Sequence, residues 1–207
     1  YDTHAGPPVL FDKENPEGKR ARGVPVKHRA ELALAVLIYR RIGTLVEAVV
    51  ASGGFVISEH PSPRSDPDFL GGRLWDKSGI TARHQSWWEL EATRRMLQCS
   101  DAHSVTFAYC SLPGAASEGR FEQKYTTLAY SPELEPVLGA LEDALCTHPA
   151  RWHTRPGGRE KSGAWRMSKL ARWAADLIDL ITRAVVSALN PHARVTTPTE
   201  PAAAAQA

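Results

Sequence analysis

One stretch, from residue 27 to Glu59, constrains the fold of this chain more than any other part of the sequence. Residues 27–51 place apolar side chains on both sides of a helical wheel, which predicts a long helix buried on most of its surface. Ser52-Gly53-Gly54 ends this helix, because glycine takes the left-handed conformation that closes a last turn without steric cost. Phe55-Val56-Ile57 follows, and a short apolar run bounded by glycine and proline predicts a central strand of a parallel sheet.

Glu59 comes directly after this predicted strand. In open α/β sheets, ligands bind at the edge formed by the carboxyl ends of the strands, so we expect Glu59 at a ligand-binding edge. The residues from His60 to Pro67 contain three prolines, which forbid a helix and predict a shaped loop beside that edge.

The composition predicts one soluble globular domain. With 207 residues and 43% hydrophobic side chains, the chain is long enough to bury a core. The net charge of +2 is too small to indicate a nucleic-acid binder by itself. No membrane span is predicted, because the longest apolar runs are interrupted by Arg40-Arg41 and by Asp176, Asp179 and Arg183.

The three cysteines are odd in number and show no CxxC spacing. They indicate neither a disulfide framework nor a zinc knuckle, and they favour a reducing intracellular compartment. Cys146, His148 and His153 make a conceivable metal cluster. Their spacing matches no strong zinc pattern, so they are interpreted as ordinary loop residues and no metal is predicted.

Composition divides the chain into three parts. Residues 1–25, punctuated by proline and glycine, predict an extended N-terminal arm, residues 26–190 form the α/β domain, and residues 191–207 form a flexible C-terminal tail. Because the chain begins with neither methionine nor a signal-like segment, we expect a processed or excised part of something longer.

Local signals predict the other elements of the domain. Ser86 and Glu89 form a capping box, and Ser131 followed by proline predicts another helix start. The predicted elements are a helix at 86–98, strands at 105–109 and 125–130, a helix at 132–146, and a long helix from Trp165 to Leu189 that packs on the sheet or on a partner.

Three motifs occur along the chain in a characteristic order. They are Gly53-Gly54-Phe55-Val56-Ile57-Ser58-Glu59-His60-Pro61, then Leu74-Trp75, then Gly114 with Gln123-Lys124-Tyr125-Thr126. Together they resemble the second half of a cytosine-5 DNA methyltransferase catalytic domain, as in divergent versions carried by tyrosine-recombinase retrotransposons and protist genomes. The likeness covers roughly residues 24–190. It implies an α/β fold with a partial, Rossmann-like methyltransferase-type sheet and helices on both faces.

The resemblance also implies a set of site residues. In that family, a cysteine thiolate attacks a flipped cytosine while a strand-end carboxyl group holds and protonates the ring nitrogen. Glu59 matches this carboxyl group and is the candidate catalytic residue. The candidate substrate-binding residues are His60, Arg64, Gln123 and Lys124.

This chain departs from the family pattern in two motifs, and it lacks two functional elements of the family's catalytic domain. His60 stands where the family has asparagine, and Tyr125 stands where it has proline. A Pro-Cys nucleophile and the glycine-rich loop for S-adenosylmethionine are expected upstream of residue 1, since no cysteine here follows proline and Gly53-Gly54 precedes its strand. We therefore expect no cofactor in this chain, and S-adenosylmethionine only if an upstream half completes the site.

Two functions remain open from the sequence. The first is one half of a nucleic-acid-modifying methyltransferase, which is not catalytic as this chain alone. The second is a non-catalytic structural or interaction subunit of a larger assembly, with protein partners at the N-terminal arm and at the helix from Trp165 to Leu189. The retroelement resemblance implies a nuclear location, with an organelle as the alternative.

Basic side chains concentrate in two segments, from Lys19 to Arg29 and from Arg151 to Arg172. Local positive charge attracts phosphate even when the net charge is small, so these segments predict a nucleic-acid-binding face beside Glu59. The alternative is that these cations pair with acidic groups of protein neighbours.

Overall fold

The computed structural model describes residues 14–15, 24–62, 86–112, 116–117, 120–122, 125–149, 152–154 and 175–190. These residues form a mixed α/β arrangement, which confirms the predicted α/β class. The helices are α1 (Val26–Ala51), α2 (Glu91–Cys99), α3 (Glu135–Leu138) and α4 (Ala175–Leu189), and the strands are β1 (Ile57–Pro61), β2 (His103–Ala108), β3 (Ala116–Ser117), β4 (Arg120–Glu122), β5 (Tyr125–Tyr130) and β6 (His153–Thr154). Short 3-10 turns lie at Trp87–Glu89, Tyr109–Ser111, Pro132–Leu134 and Gly139–Asp143.

The described strands form two three-stranded sheets, in the orders β1-β5-β2 and β3-β4-β6. In the first sheet, β5 pairs antiparallel with both neighbours. All six residues of β5 are buried, so it is the central strand of this sheet. The described parts of the chain contain no helix that is both long and apolar enough to cross a membrane.

The prediction that a central strand of a parallel sheet follows Gly54 is wrong. β1 begins only at Ile57, pairs antiparallel with β5, and is an edge strand among the described strands. Phe55 and Val56 precede it and pack into two different apolar clusters, while Ser131 accepts a hydrogen bond from the Val56 N–H at 2.8 Å. A short apolar run suits such a buried connection as well as a central strand, which is why its hydrophobicity misled the prediction.

The glycine stop after α1 is confirmed. Gly53 has a φ of 75°, and its N–H and that of Gly54 donate to the carbonyls of Val50 and Val49, both at 2.9 Å. These bonds satisfy carbonyls at the helix end that would otherwise lack partners. They also turn the chain directly toward β1.

The predicted burial of α1 over most of its surface is wrong. Val46 is buried against α2, but Leu34, Ile38 and Leu45 are 57%, 48% and 64% exposed. α1 packs mainly on α2, and a helix with one main neighbour can bury only one of its sides.

The helix predicted at 132–146 is shorter than expected. Its first turn is a 3-10 turn, α3 covers only Glu135–Leu138, and a second 3-10 turn follows. Pro136 lacks an N–H to donate, and this interrupts a regular helical ladder. Ser131, the predicted N-cap, makes no side-chain cap.

The main core joins β2 and β5 to α3 and α4. Its fully buried side chains include Phe107, Leu128, Leu134, Leu138 and Leu177. α4 reaches Leu189, as predicted, and the stretch predicted as its first part, 165–174, lies outside the described residues. A second cluster between α1 and α2 holds Val46, Trp87 and Met96.

Candidate nucleic-acid interface at one end of the sheet

β1 carries both predicted site residues that the structure describes, Glu59 and His60. Glu59 lies opposite Leu128 and His60 lies opposite Thr127 in the pairing with β5. Both side chains are half-buried. Beyond them, the Ser62 N–H donates a hydrogen bond to the Tyr125 carbonyl at 3.0 Å. The end of β1 therefore lies beside the start of β5.

Three other predicted site residues, Arg64, Gln123 and Lys124, lie outside the described residues. Their neighbours in the chain are described: Ser62 precedes Arg64 closely, and Tyr125 directly follows Lys124. The hydrogen bond between Ser62 and Tyr125 places these two chain positions together at one end of the sheet. The clustering of Glu59, His60, Arg64 and Lys124 stays a prediction.

Glu59 and His60 lie on opposite faces of the sheet, because side chains alternate along a strand. Glu59 shares its face with Ile57 and Leu128, both of which belong to the main core. His60 shares the other face with Thr127. A small ligand on one face could not contact both side chains, whereas an extended ligand that crosses the edge of β1 could.

The His60 ring stacks on Trp87, with ring centroids 5.1 Å apart and planes 17° apart. Trp88 contacts His60 edge-on, with centroids 6.3 Å apart, and its indole Nε1 donates to the Pro61 carbonyl at 3.0 Å. Both tryptophans therefore pack against the end of β1. Their geometry favours a packing role over a base-stacking platform.

The predicted capping box fixes the two tryptophans. Ser86 Oγ accepts the Trp88 N–H and Glu89 Oε2 accepts the Ser86 N–H, both at 3.3 Å, as the sequence predicted. This capping box lies at the start of a 3-10 turn, and α2 begins after that turn, at Glu91.

A hydrogen-bonded group that the sequence did not reveal links β2, β5 and α3. The Tyr130 hydroxyl donates to Glu135 Oε2, and His103 Nδ1 contacts the same oxygen, both at 2.8 Å. The hydrogen bonds from His103 and then from Tyr130 hold the pKa of Glu135 below its ordinary value. Burial, and then the bond to Glu135, raises the pKa of Tyr130. No local spacing marks these residues, since they come from three separate elements.

The structure also brings together Cys146, His148 and His153, which the sequence analysis interpreted as ordinary loop residues, and adds Cys110, which it did not consider. One potential ligand atom from each lies within 4.8 Å of all the others, so the four could hold a metal ion. Burial, followed by the hydrogen bond with Cys146, raises the pKa of the Cys110 thiol to about 12. Spacing alone missed Cys110 because it lies far upstream of the others in the chain.

These four residues lie at the same end of the sheet as Ser62. Cys110 belongs to the 3-10 turn that follows β2, whose last residue, Ala108, pairs with Tyr125. Cys110, Ala108 and Tyr125 form one buried apolar cluster. The end of β1, the start of β5 and the Cys/His group are therefore neighbours.

Comparison of the chain with protein-family models, with curated proteins and with solved structures finds no match. The resemblance to methyltransferases thus rests on the motifs alone. Among the described residues, no glycine-rich loop follows a strand.

Proposed function

We propose that this domain is a nucleic-acid-binding module derived from a cytosine-5 methyltransferase with a Rossmann-like sheet, and that it does not catalyse methyl transfer as this chain alone. The observation that supports this function best is the register of β1 on β5, which ends in the hydrogen bond between Ser62 and Tyr125. That register places Ser62, just after the Glu59 motif, beside Tyr125, which directly follows Gln123-Lys124 in the sequence. In the family that the chain resembles, these motifs line one site.

Glu59 and the basic residues have different roles in this proposal. A carboxylate accepts a hydrogen bond from the exocyclic amine of cytosine, which is the contact we assign to Glu59. Lys124 and the two basic segments contact phosphates, which supply most of the affinity without reading sequence. The segment from Arg151 to Arg172 includes His153, which pairs with Phe121 in the second sheet and belongs to the Cys/His group.

The contacts of the described thiols support the proposed lack of catalysis. Cys99 Sγ donates to the Met96 carbonyl at 3.2 Å, and Cys146 Sγ lies 3.3 Å from His153 Nε2. Cys110 is buried and hydrogen-bonded to Cys146. All three thiols thus contact protein groups, and covalent attack on a cytosine needs an accessible thiolate.

The test is the affinity for a nonspecific DNA duplex, measured by fluorescence anisotropy at two salt concentrations. We expect binding at low salt that weakens steeply as salt rises, because bound cations release counterions from phosphates. The variant Lys124→Ala should weaken binding and reduce the salt dependence. Arg94→Ala is the matched control, since Arg94 is an exposed cation on α2. Absence of binding at low salt, or equal effects of the two variants, would contradict the proposed function.

A second candidate function, a non-catalytic interaction subunit, is favoured by the exposed side of α1. Leu34, Ile38 and Leu45 are exposed at helical spacing, and the exposed Arg41 falls on the same stripe. Such a stripe suits a helix of a protein partner that presents apolar side chains and one acidic side chain opposite Arg41.

This candidate is tested in the natural assembly with paired variants. The double variant Leu34→Glu/Leu45→Glu should lose the partner, because it places charge on the apolar stripe. Thr44→Glu should keep the partner, because the exposed Thr44 is turned about 100° around the helix from Leu45. Retention of the partner by both variants would exclude this face as the interface.

A further inference from the structure

Four side chains of the types that bind metal ions converge where β2 ends and β5 begins. They are Cys110, Cys146, His148 and His153, and the Sγ or ring nitrogen atoms concerned all lie within 4.8 Å of one another. The proposed function uses none of them. This Cys/His group therefore needs an explanation separate from the proposed function.

Backbone hydrogen bonds bring the three segments that carry these residues together. Cys110 lies in the 3-10 turn after β2, and the Ala108 N–H at the end of β2 donates to the Ala144 carbonyl at 2.9 Å, just before Cys146. His153 is held by the parallel pairing of β6 with β4, in register with Phe121. The arrangement thus follows from the fold of the surrounding chain.

The spacing of the ligand atoms is close to that of a tetrahedral zinc site. With Zn–S bonds of about 2.3 Å and Zn–N bonds of about 2.0–2.1 Å, tetrahedral ligand atoms lie about 3.3–3.8 Å apart. Cys146 Sγ lies 3.3 Å from His153 Nε2. The upper limit of 4.8 Å in the group exceeds the tetrahedral spacing by about 1 Å, which rotation of the side chains can close.

Burial and hydrogen bonding at these residues also favour coordination of a metal ion. Cys110 is 1% exposed, and the other three residues are half-buried. Nδ1 of His148 is buried and has no hydrogen-bond partner in the described part of the chain. The Phe121 ring covers His148, with centroids 3.7 Å apart and planes 23° apart. A buried polar nitrogen without a partner is unfavourable, and coordination through this atom would satisfy it.

We propose that Cys110, Cys146, His148 and His153 bind one Zn²⁺ ion in a closed structural site. Two thiolates and two imidazoles form a ligand set typical of structural zinc, whereas Mg²⁺ and Ca²⁺ prefer oxygen ligands. Four protein ligands leave no open position for a substrate, so the ion has no catalytic role. On binding, the two thiols lose their protons to solvent.

The ion would fasten two parts of the fold to each other. It would join the turn after β2 to the chain from Cys146 to His153 and so to the second sheet, beside Tyr125 at the start of β5. Because the ligand set would not exist in the unfolded chain, metal binding would stabilise the folded state. This role is independent of nucleic-acid binding.

The test is the zinc content of the full chain, purified under reducing conditions without a chelator and measured by inductively coupled plasma mass spectrometry. We expect one zinc per chain for the wild type and for Cys99→Ser, whose thiol lies on α2 outside the group. Cys110→Ser and His153→Ala should lose most of the zinc. Replacement by Co²⁺ should give the visible absorption of a tetrahedral ion and a thiolate charge-transfer band, both absent in Cys110→Ser.

A second measurement keeps the test decisive if the ligand variants fail to fold. Removing the metal from the wild type with a strong chelator should lower its Tm, and added ZnCl₂ should restore it. The proposal is overturned if the wild type binds neither Zn²⁺ nor Co²⁺ after incubation with an excess of each. The proposal is also overturned if protein freshly purified under reducing conditions contains a Cys110–Cys146 disulfide. It is overturned as well if Cys99→Ser loses as much zinc as Cys110→Ser.

Discussion

The Tyr130 hydroxyl donates a 2.8 Å hydrogen bond to Glu135 Oε2, and so connects the buried central strand to the short helix α3. His103, on β2, contacts the same carboxylate oxygen at 2.8 Å. One carboxylate therefore links two strands and a helix of the main core. Since its side chain is 45% exposed, solvent weakens these contacts, and we expect a modest contribution to stability.

This contribution should depend on pH. In the folded protein the pKa of Glu135 lies below its ordinary value of 4.5, so the stabilisation is present above about pH 4.5 and is lost as the pH falls through the folded-state pKa. As the pH falls from about 5 to about 3, the variant Glu135→Gln should lose less unfolding free energy than the wild type, as measured by urea titration. Glu133→Gln, at an exposed position in the preceding turn, is the control. Equal acid sensitivity of the wild type and Glu135→Gln would contradict this prediction.

Two glycines, one inside α1 and one just after it, should respond in opposite directions to substitution by alanine. Gly53 has a φ of 75°, so Gly53→Ala should destabilise the protein by about 1–2 kcal/mol. Gly43 lies inside α1, and a Cβ there would meet no atom within 4 Å, so Gly43→Ala should stabilise the protein by about 0.5–1 kcal/mol. Thermal unfolding of the two variants measures both effects. Stabilisation by Gly53→Ala would contradict the left-handed end of the helix, and destabilisation by Gly43→Ala would show that the added methyl group is not accommodated in α1.

Leu138 tests the main core. It is fully buried among Leu134, Leu177 and Tyr130, so Leu138→Ala should lower the free energy of unfolding by about 2–5 kcal/mol. Leu189→Ala, at an exposed position on α4, should change it by less than about 0.5 kcal/mol. Urea unfolding compares the two leucines directly. Similar losses at both sites would mean that α3 does not face the core.

His60 tests the departure from the methyltransferase motif. His60→Asn introduces the residue found at this position in the family that the motifs resemble, but it removes the stacking on Trp87. We expect a loss of about 0.5–1.5 kcal/mol and a change in tryptophan fluorescence. An unchanged stability and spectrum would indicate that His60 does not hold the tryptophan pair against β1.

The features that the sequence predicted correctly are local in the chain. The left-handed glycine after α1 and the capping box at Ser86 depend on neighbouring residues, and both occur as predicted. The strand at Tyr125–Tyr130 was also found with its predicted bounds. Local geometry decides each of these features, so a single sequence contains the information for them.

The features that the sequence missed depend on contacts between distant residues. The antiparallel register of Ile57 with Tyr130 is set by packing across the sheet, and no pattern around Ile57 distinguishes it from a parallel strand. Cys110 joins Cys146 only because β2 ends beside the chain at Ala144. Pro136 was visible in the sequence as the second proline of the helix predicted at 132–146. The strong helix-start signals before it concealed its effect, which is to interrupt that helix.

The central claim is that nucleic acid binds where β1 ends and β5 begins, and ultraviolet cross-linking of a DNA duplex followed by mass spectrometry tests it most directly. The predicted adducts lie on the peptide that contains Glu59 to Arg64 and on the peptide that contains Gln123 and Lys124. Adducts confined to α4, or no adducts at a salt concentration that permits binding, would contradict the claim.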